Sequence, residues 1–371
     1  MVDKLKVRIY GYHMHQEASV ISDRRQKYAL MLGHVLVRPG ELSFCEIPRP
    51  VPGPEEVVVR VRAALTCGTD VKAFLRGHPK FPMPTPFGHE FAGEIDAIGA
   101  RVRGFREGDP IMAVPTAPCG HCYFCERQQE NLCDTVMETM VLGAYAEYIK
   151  LPARIVKVNL YHKPDAVSFP VAALLEPLAC VLHGLEFVSL RPDDTVVLIG
   201  AGAISLLHLR VLRALGVERI AVLGRRPRRA HHAASLGADR VFVGGLPVAR
   251  EQVMDYTDGR GADVVIECTG QPDVWEAAPG LARRGGQVVL FGGCPPGTQV
   301  RIDTQRLHYE QLRLISPFHF TPRAVRRAYE MLSGEALGGQ RLISGAFPLR
   351  SLAEALTEHQ AGDGIKFAVI P

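Results

Sequence analysis

Short apolar segments separated by Pro- and Gly-containing turns fill the first half of the chain. Val57–Arg62 and Phe91–Ile95 are such segments, and another, His34–Val37, follows Met31. Runs of this length that are rich in β-branched residues and bounded by turn residues are typical of strands. From Met31 to about Arg191 the pattern predicts an antiparallel, partly open barrel.

The pattern changes at Asp194. Thr195–Ile199 is an uninterrupted apolar run, and a glycine-rich turn and a predicted helix, Leu206–Leu215, follow it. Further apolar strands, separated by helical segments, are predicted at Arg219–Leu223, Asp239–Val243, Asp263–Glu267, Gln287–Phe291 and Leu312–Ser316. Strands that alternate with helices favour right-handed βαβ units and therefore a doubly wound parallel sheet.

The two ends of the chain follow neither pattern. After Pro317 we predict helices at Pro322–Leu332 and Leu352–His359 and a last strand at Lys366–Ile370. This tail lacks the βαβ rhythm, so we expect it to return to the first domain. Residues 1–30 show no sustained period. We expect them to be a loosely attached extension, or part of an overextended reading frame that truly starts at Met31.

Composition describes an ordinary globular protein. The 371 residues suffice for two domains, and 47% are hydrophobic and 22% charged. A net charge of +4 without a basic stripe gives no argument for nucleic acid. No apolar run is long enough to cross a bilayer. Nine cysteines, five of them in predicted metal sites, suit a reducing compartment, so we expect a cytoplasmic protein.

Four cysteines lie close together at Cys119, Cys122, Cys125 and Cys133. This spacing lets one loop surround a Zn²⁺ ion with four thiolates, which leaves no position for water or substrate and predicts a structural site. A disulfide framework is the alternative. It is disfavoured because cysteines three residues apart are poorly placed to bridge, and a chain of this length needs no covalent staples.

A second candidate metal site combines Cys67 with His89 and Glu90. One thiolate, one imidazole and one carboxylate are an incomplete set of zinc ligands, which leaves a coordination position open for chemistry. On spacing alone the alternative is favoured: a small buried cysteine, a hydrogen-bonded core histidine and a solvated carboxylate.

A glycine-rich turn connects the first strand of the parallel sheet to its helix. Gly200 permits a tight turn, and Gly202 lets the backbone approach a pyrophosphate at the helix N-terminus, where Ala203 and Ile204 follow. Ser205 replaces the third glycine of the usual fingerprint, and a small residue there still allows close packing. A turn of an α/β protein that binds no nucleotide is the alternative.

The end of the second strand of the parallel sheet indicates which dinucleotide binds. An NAD site places an acidic residue there, whereas this chain has Arg225 and Arg226 after Gly224. Two guanidinium groups can hold a 2′-phosphate through charge-assisted hydrogen bonds, which favours NADP(H) over NAD(H). A solvated basic loop is the alternative.

Together these motifs resemble the zinc-dependent medium-chain alcohol and polyol dehydrogenases. Gly88-His89-Glu90-Phe91-Ala92-Gly93 is similar to the family's catalytic-zinc signature, and Cys119 to Cys133 is similar to its structural-zinc lobe. Gly143–Tyr148 is similar to the strand after that lobe. The resemblance implies a GroES-like catalytic domain at residues 31–185 and 318–371, with a Rossmann domain at residues 186–317 between its two parts.

Within the family, Glu176-Pro177-Leu178 resembles the sorbitol and iditol dehydrogenase branch. The resemblance implies zinc beside Cys67, His89 and two carboxylates, Glu90 and Glu176, and leaves open which carboxylate binds the metal directly. Threonine dehydrogenases share the context of Cys67 and His89, so an amino-alcohol substrate stays open.

The resemblance also implies an activity. We expect reversible oxidation of a secondary alcohol to a ketone with a nicotinamide cofactor, zinc serving as the Lewis acid. Thr69 would start a proton relay, and Asp70 would either orient His89 or serve as a turn residue. Thr269 and Gly270 would line the nicotinamide side. A homodimer or homotetramer is implied, formed through the strand Leu312–Ser316. A zinc-free reductase and a non-catalytic NADPH-binding zinc protein are the rival interpretations.

Overall fold

The computed structural model describes residues 29–334, 336–362 and 364–371. The predicted extension at residues 1–30 falls outside the described residues except for its last two positions. The first strand begins at the second of these, Leu30. The strands are β1 (Leu30–Arg38), β2 (Glu41–Pro48), β3 (Val57–Leu65), β4 (Thr85–Pro86), β5 (Phe91–Ile98), β6 (Pro110–Ala113), β7 (Tyr148–Leu151), β8 (Leu160–His162), β9 (Thr195–Ile199), β10 (Arg219–Gly224), β11 (Arg240–Val243), β12 (Ala262–Glu267), β13 (Ala282–Leu290), β14 (Arg313–Ile315), β15 (Ile343–Pro348) and β16 (Lys366–Ile370).

Helices connect these strands. They are α1 (Gly68–Arg76), α2 (Tyr123–Glu126), α3 (Ala153–Val158), α4 (Phe169–Ala172), α5 (Leu175–Leu185), α6 (Ala203–Ala214), α7 (Pro227–Ser235), α8 (Leu246–Tyr256), α9 (Pro272–Ala277), α10 (Thr304–Tyr309), α11 (Pro322–Ser333) and α12 (Leu352–Ala361). Short 3-10 helices occur at Glu130–Leu132, Ala278–Leu281, Gly339–Leu342 and Leu349–Ser351.

The predicted parallel sheet is confirmed. Its strands run in the order β11-β10-β9-β12-β13-β14, and every pair is parallel. All five residues of the central strand β9 are buried, as the uninterrupted apolar run predicted. The strand predicted at Gln287–Phe291 begins earlier, because Ala282 pairs with Ala262 across a register shift. The ligand-binding edge of such a sheet is the one formed by the carboxyl ends of its strands.

The N-terminal half forms the predicted antiparallel structure. One sheet has the order β15-β16-β3-β5-β6-β8, with β7 also on β3, and a smaller sheet has the order β2-β1-β4. The pair β15–β16 is the parallel exception among these strands. The last strand, β16, pairs antiparallel with β3 through Ala368 and Leu65, so the tail returns to the first sheet as predicted. The fold is therefore a GroES-like domain combined with a Rossmann sheet.

One hydrophobic core joins the two sheets. It includes Leu65 and Met112 from the antiparallel sheet and Val196 and Leu198 from the parallel sheet. The helix α5 lies within this core and packs against α11. In the described part of the chain, no helix is both long and apolar enough to cross a membrane.

Candidate active site and metal centres

The thiol of Cys67 lies at the junction of β3 and α1. Cys67 is extended (φ −123°, ψ 145°) and caps α1, and its Sγ accepts a hydrogen bond from the Thr69 N–H at 3.4 Å. Burial raises the pKa of the Cys67 thiol, and the nearby Glu90 carboxylate raises it further. A buried thiol beside a carboxylate loses its proton readily only when a metal cation binds the sulfur in the proton's place.

His89 is held by a buried network. Its Nδ1 lies 3.0 Å from Oδ1 of Asp70, and Oδ2 of Asp70 accepts from the Tyr145 hydroxyl at 2.7 Å. Asp70 and Tyr145 are fully buried. Burial opposes the charged ring, but Asp70 and Cys67 outweigh it and raise the pKa of His89 well above its usual value. This contact agrees with the orienting role considered for Asp70, because a carboxylate at Nδ1 leaves Nε2 free to serve as a ligand atom.

Glu90 is paired with a lysine that the sequence analysis did not identify. Nζ of Lys366 donates to Oε1 of Glu90 at 2.8 Å, to Oε2 at 2.5 Å and to the carbonyl of Thr66 at 2.9 Å. Burial raises the pKa of Glu90 to about 7; Lys366 opposes this effect and the Glu176 carboxylate adds to it. The signal that could have revealed Lys366 is a lysine at the start of an otherwise apolar strand.

These side chains converge. Sγ of Cys67, a ring nitrogen of His89 and a carboxylate oxygen of Glu90 all lie within 4.8 Å of one another, and all are buried. Sulfur, imidazole nitrogen and carboxylate oxygen are the donors that zinc takes in proteins, and the Asp70 partner of His89 is the usual second layer. The residues present therefore fit a zinc ion with a free coordination position.

Glu176 is near this cluster but does not belong to it. The carboxylate lies on the first turn of α5 and accepts from Sγ of Cys180, one turn further along, at 3.5 Å. It is close enough to raise the pKa of Glu90. The set of ligand atoms within 4.8 Å of one another contains Glu90 and lacks Glu176.

The four cysteines of the second site are also brought together. Their sulfurs lie within 4.8 Å of one another, with Cys119 and Cys122 at 3.9 and 3.5 Å from Cys125. A tetrahedron with zinc–sulfur bonds of about 2.3 Å has edges of about 3.8 Å. Backbone N–H groups outweigh burial and lower the pKa of the Cys133 thiol to about 6. All nine cysteines are free, so the disulfide alternative is wrong.

The glycine-rich turn has the geometry that a dinucleotide requires. Gly200 has φ of +106°, and a Cβ there would lie 3.1 Å from Thr269. Gly202 caps α6, and Ala203 and Ile204 begin it. The helix α6 begins directly after the carboxyl end of β9, so the free N–H groups of its first turn lie at that edge of the sheet, where the helix dipole favours an anion.

Thr269 and Gly270 lie at the same edge of the sheet. The carboxylate of Glu267, at the end of β12, accepts from the Thr269 N–H at 2.5 Å and from the Thr269 hydroxyl. It also accepts from the Gly270 N–H at 3.1 Å, which fixes Gly270 at φ of +65°. Glu267 is thus a positioning residue that the sequence analysis treated only as the end of a strand. The position of Glu267 at the carboxyl end of a parallel strand is the sequence feature that could have identified it.

The two predicted phosphate-binding arginines are placed differently. Arg225 is exposed and makes no hydrogen bond or ion pair with any other described residue. Arg226 donates to the carbonyls of Ala361 at 2.8 Å and Gln360 at 3.2 Å, and so occupies the C-terminal end of α12. Exposed carbonyls at a helix C-terminus attract cations, which explains this position.

Comparison with known proteins supports the geometric interpretation. The Alcohol dehydrogenase GroES-like domain matches residues 53–161, and the Zinc-binding dehydrogenase domain matches residues 203–334. A zinc-type alcohol dehydrogenase-like protein of Escherichia coli K12, YdjJ, is 33% identical over 70% of this chain and 76% of its own length. The sorbitol dehydrogenase of Bacillus subtilis 168 is 28% identical over 85% of this chain and 90% of its own.

Among solved structures, a protein of Sinorhizobium meliloti 1021 described as a zinc-binding dehydrogenase is 30% identical and is bound to NADP. Its TM-score is 0.83, and the match covers 92% of this chain and 100% of the other. The candidate zinc ligands, the glycine-rich turn and these relatives agree. The chain belongs to the zinc-dependent medium-chain dehydrogenase/reductase family, in its sorbitol dehydrogenase-like branch, and is a dehydrogenase that uses zinc and a nicotinamide cofactor on a small alcohol.

Proposed function

We propose that this enzyme reversibly oxidises a secondary hydroxyl of a polyol or sugar alcohol to a ketone, with NADP⁺ as the favoured oxidant. Bound NADP⁺ would supply the hydride acceptor for the alcohol carbon, and the proton of the alcohol hydroxyl would leave to solvent. The observation that carries the proposal is the convergence of Cys67, His89 and Glu90 within 4.8 Å. The sorbitol dehydrogenase relative supports the substrate class.

Zinc held by Cys67, His89 and Glu90 would act as a Lewis acid that lowers the pKa of the alcohol. The protein supplies the rest. Asp70 fixes the ring of His89, and Lys366 holds the carboxylate of Glu90 in place. The Thr69 hydroxyl, two residues after Cys67, takes the hydroxyl proton at Oγ1 and passes it toward solvent.

We further propose a second zinc, held by Cys119, Cys122, Cys125 and Cys133, that stabilises the lobe without taking part in chemistry. The cofactor would lie along Gly200, Gly202, Ala203 and Ile204, with its nicotinamide beside Thr269 and Gly270. Arg225 and Arg226 would hold the 2′-phosphate of NADP. Arg225 makes no competing hydrogen bond with a described residue, whereas Arg226 would have to leave the carbonyls of α12.

Domain limits of 31–185 and 318–371 for the catalytic part, and 186–317 for the Rossmann part, remain our proposal. We also propose a homodimer or homotetramer formed through β14, an edge strand whose free side can pair with a second copy. A cytoplasmic location agrees with the free thiols of the described cysteines, which a reducing compartment preserves.

The experiment is a substrate panel on zinc-loaded protein. Polyols, 2-butanol and L-threonine are assayed with NADP⁺ and NAD⁺, and ketoses with the reduced cofactors. We expect a polyol to have the highest kcat/KM, with NADP⁺ preferred. A clear preference for L-threonine, or no turnover of any polyol, would contradict the proposal.

A further inference from the structure

Three basic side chains lie along α1 and the loop that follows it. Lys72 and Arg76 are on the helix, and Lys80 is in the loop. Arg76 and Lys80 are exposed, and Lys72 is half-buried. The side chains of all three make no hydrogen bond and no ion pair with any residue that the structure describes. Their charge is therefore available to a ligand.

This basic segment, residues 72–80, adjoins the proposed catalytic metal site at both of its ends. The helix α1 starts directly after Cys67, whose carbonyl accepts from the Val71 N–H at 3.1 Å. Beyond the other end lies the buried ring of Phe81. Its centroid is 6.3 Å from that of the His89 ring and 4.5 Å from that of the His78 ring. Two proposed zinc ligands thus adjoin the segment.

The basic segment also acts on the cofactor edge of the parallel sheet. Burial lowers the pKa of His78, and the charges of His89, Lys72 and Arg76 lower it further. Burial raises the pKa of the Cys294 thiol, whereas the charge of Lys72 lowers it. Cys294 follows the carboxyl end of β13, and such ends form the ligand-binding edge. The segment is therefore electrostatically coupled to the metal site on one side and to the cofactor edge on the other.

The nearby carboxylates are already occupied. Asp70, the acidic residue of α1, is fully buried, lies 3.0 Å from the ring of His89 and accepts from the Tyr145 hydroxyl at 2.7 Å. On the cofactor side, Glu267 accepts from two backbone N–H groups. An anion that enters beside the basic segment would therefore meet an excess of positive charge.

We propose that the substrate is a polyol with a terminal phosphate, and that Lys72, Arg76 and Lys80 bind this phosphate while a hydroxyl lies at the metal site. The inference rests on the proposed polyol dehydrogenase function and names its substrate class. Guanidinium and ammonium groups form charge-assisted hydrogen bonds with phosphate oxygens. An uncharged polyol leaves the three cations unpaired.

The first test compares three substrates of one carbon skeleton: the best polyol of the panel, its terminal monophosphate and the corresponding aldonate. We expect kcat/KM for the monophosphate to exceed that for the polyol at least tenfold, and to exceed that for the aldonate. Added potassium chloride should reduce the advantage of the monophosphate, because salt screens exposed charges. Equal values for monophosphate and polyol, or a higher value for the aldonate, overturn the inference.

The second test replaces the cations. We expect Arg76→Ala to lower the ratio of kcat/KM for the monophosphate to kcat/KM for the polyol about tenfold, through a higher KM for the monophosphate. Arg76→Lys should retain more of this ratio, because it keeps the charge. Lys157→Ala is the matched control, since Lys157 is an exposed cation in the last turn of α3, as Arg76 is in the last turn of α1. Its ratio should equal that of the wild type.

The double variant Arg76→Ala with Lys80→Ala separates the possible failures. An unchanged ratio overturns the inference, and a raised KM for the cofactor with an unchanged ratio would show that the cations bind the cofactor instead. A wild-type enzyme that oxidises neither the polyol nor its monophosphate overturns the proposed function first, and the inference with it.

Discussion

Lys366 and Glu90, which are 276 positions apart in the chain, form a buried ion pair in which one ammonium group donates to both carboxylate oxygens. The same ammonium group donates to the Thr66 carbonyl, next to Cys67. The C-terminal strand thus holds one proposed zinc ligand, Glu90, directly and the backbone next to another, Cys67. This arrangement explains why the tail must return to the first domain.

Replacement of Lys366 by methionine should destabilise the protein. The Glu90 carboxylate would remain buried near Glu176 without its partner, at a cost of about 3 kcal/mol in the free energy of unfolding. Denaturant unfolding of zinc-free protein measures this cost. The double variant Lys366→Met with Glu90→Gln should be more stable than Lys366→Met alone, and equal stabilities would show that the lost charge pairing is not the cause.

Replacement of Cys67 by serine should remove one of two zinc ions per chain and abolish alcohol oxidation. The fold should persist, because Cys67 caps a helix that is otherwise well packed. Metal analysis and circular dichroism test this expectation. Retention of both zinc ions together with activity would refute the assignment of Cys67 as a ligand.

Replacement of Cys122 by serine should have the opposite pattern. We expect loss of the second zinc and a lower melting temperature, because a four-thiolate site contributes folding free energy directly. The zinc at Cys67 should remain. An unchanged melting temperature with two zinc ions still bound would count against a structural role.

Arg225→Asp should raise KM for NADPH by roughly 10- to 100-fold more than KM for NADH. A charge-assisted hydrogen bond to a phosphate contributes about 1.5–3 kcal/mol, and the aspartate adds repulsion. Arg240→Asp is the control, since Arg240 is an exposed arginine at the start of β11, away from the carboxyl ends of the strands. Equal effects on both cofactors would remove Arg225 from phosphate recognition.

His208 should lower the free energy of unfolding of the protein in mild acid. Its ring is fully buried in α6, Nδ1 pairs with the Ile204 carbonyl at 3.0 Å, and Nε2 has no partner among the described residues. Burial lowers the pKa of His208 to about 4. Between pH 6.5 and 4 the unfolded chain binds a proton that the folded chain does not, so stability falls as the pH falls.

The size of this effect follows from the two pKa values. Between pH 7 and pH 5 this histidine should cost about 2 kcal/mol of unfolding free energy. His208→Leu should have a correspondingly flatter pH dependence in urea denaturation. Parallel pH profiles for the variant and the wild type would show that His208 is not responsible.

The sequence alone determined what depends on local pattern. The uninterrupted apolar run of Thr195–Ile199 indicated a buried parallel strand, and Gly200 indicated the tight turn after it. The spacing of Cys119 to Cys133 indicated one metal site, because these residues are close enough in the chain for a single loop to bring them together.

Tertiary structure decided what depends on distant residues. Lys366 and Glu90 meet only because β16 pairs with β3, and His319 reaches Thr116 only because the two sheets share one core. Arg226, predicted as a phosphate ligand, donates to α12 because that helix ends beside it. Local periodicity reports which face of a segment is apolar, whereas these contacts depend on how separate elements pack, and no short stretch of sequence encodes that.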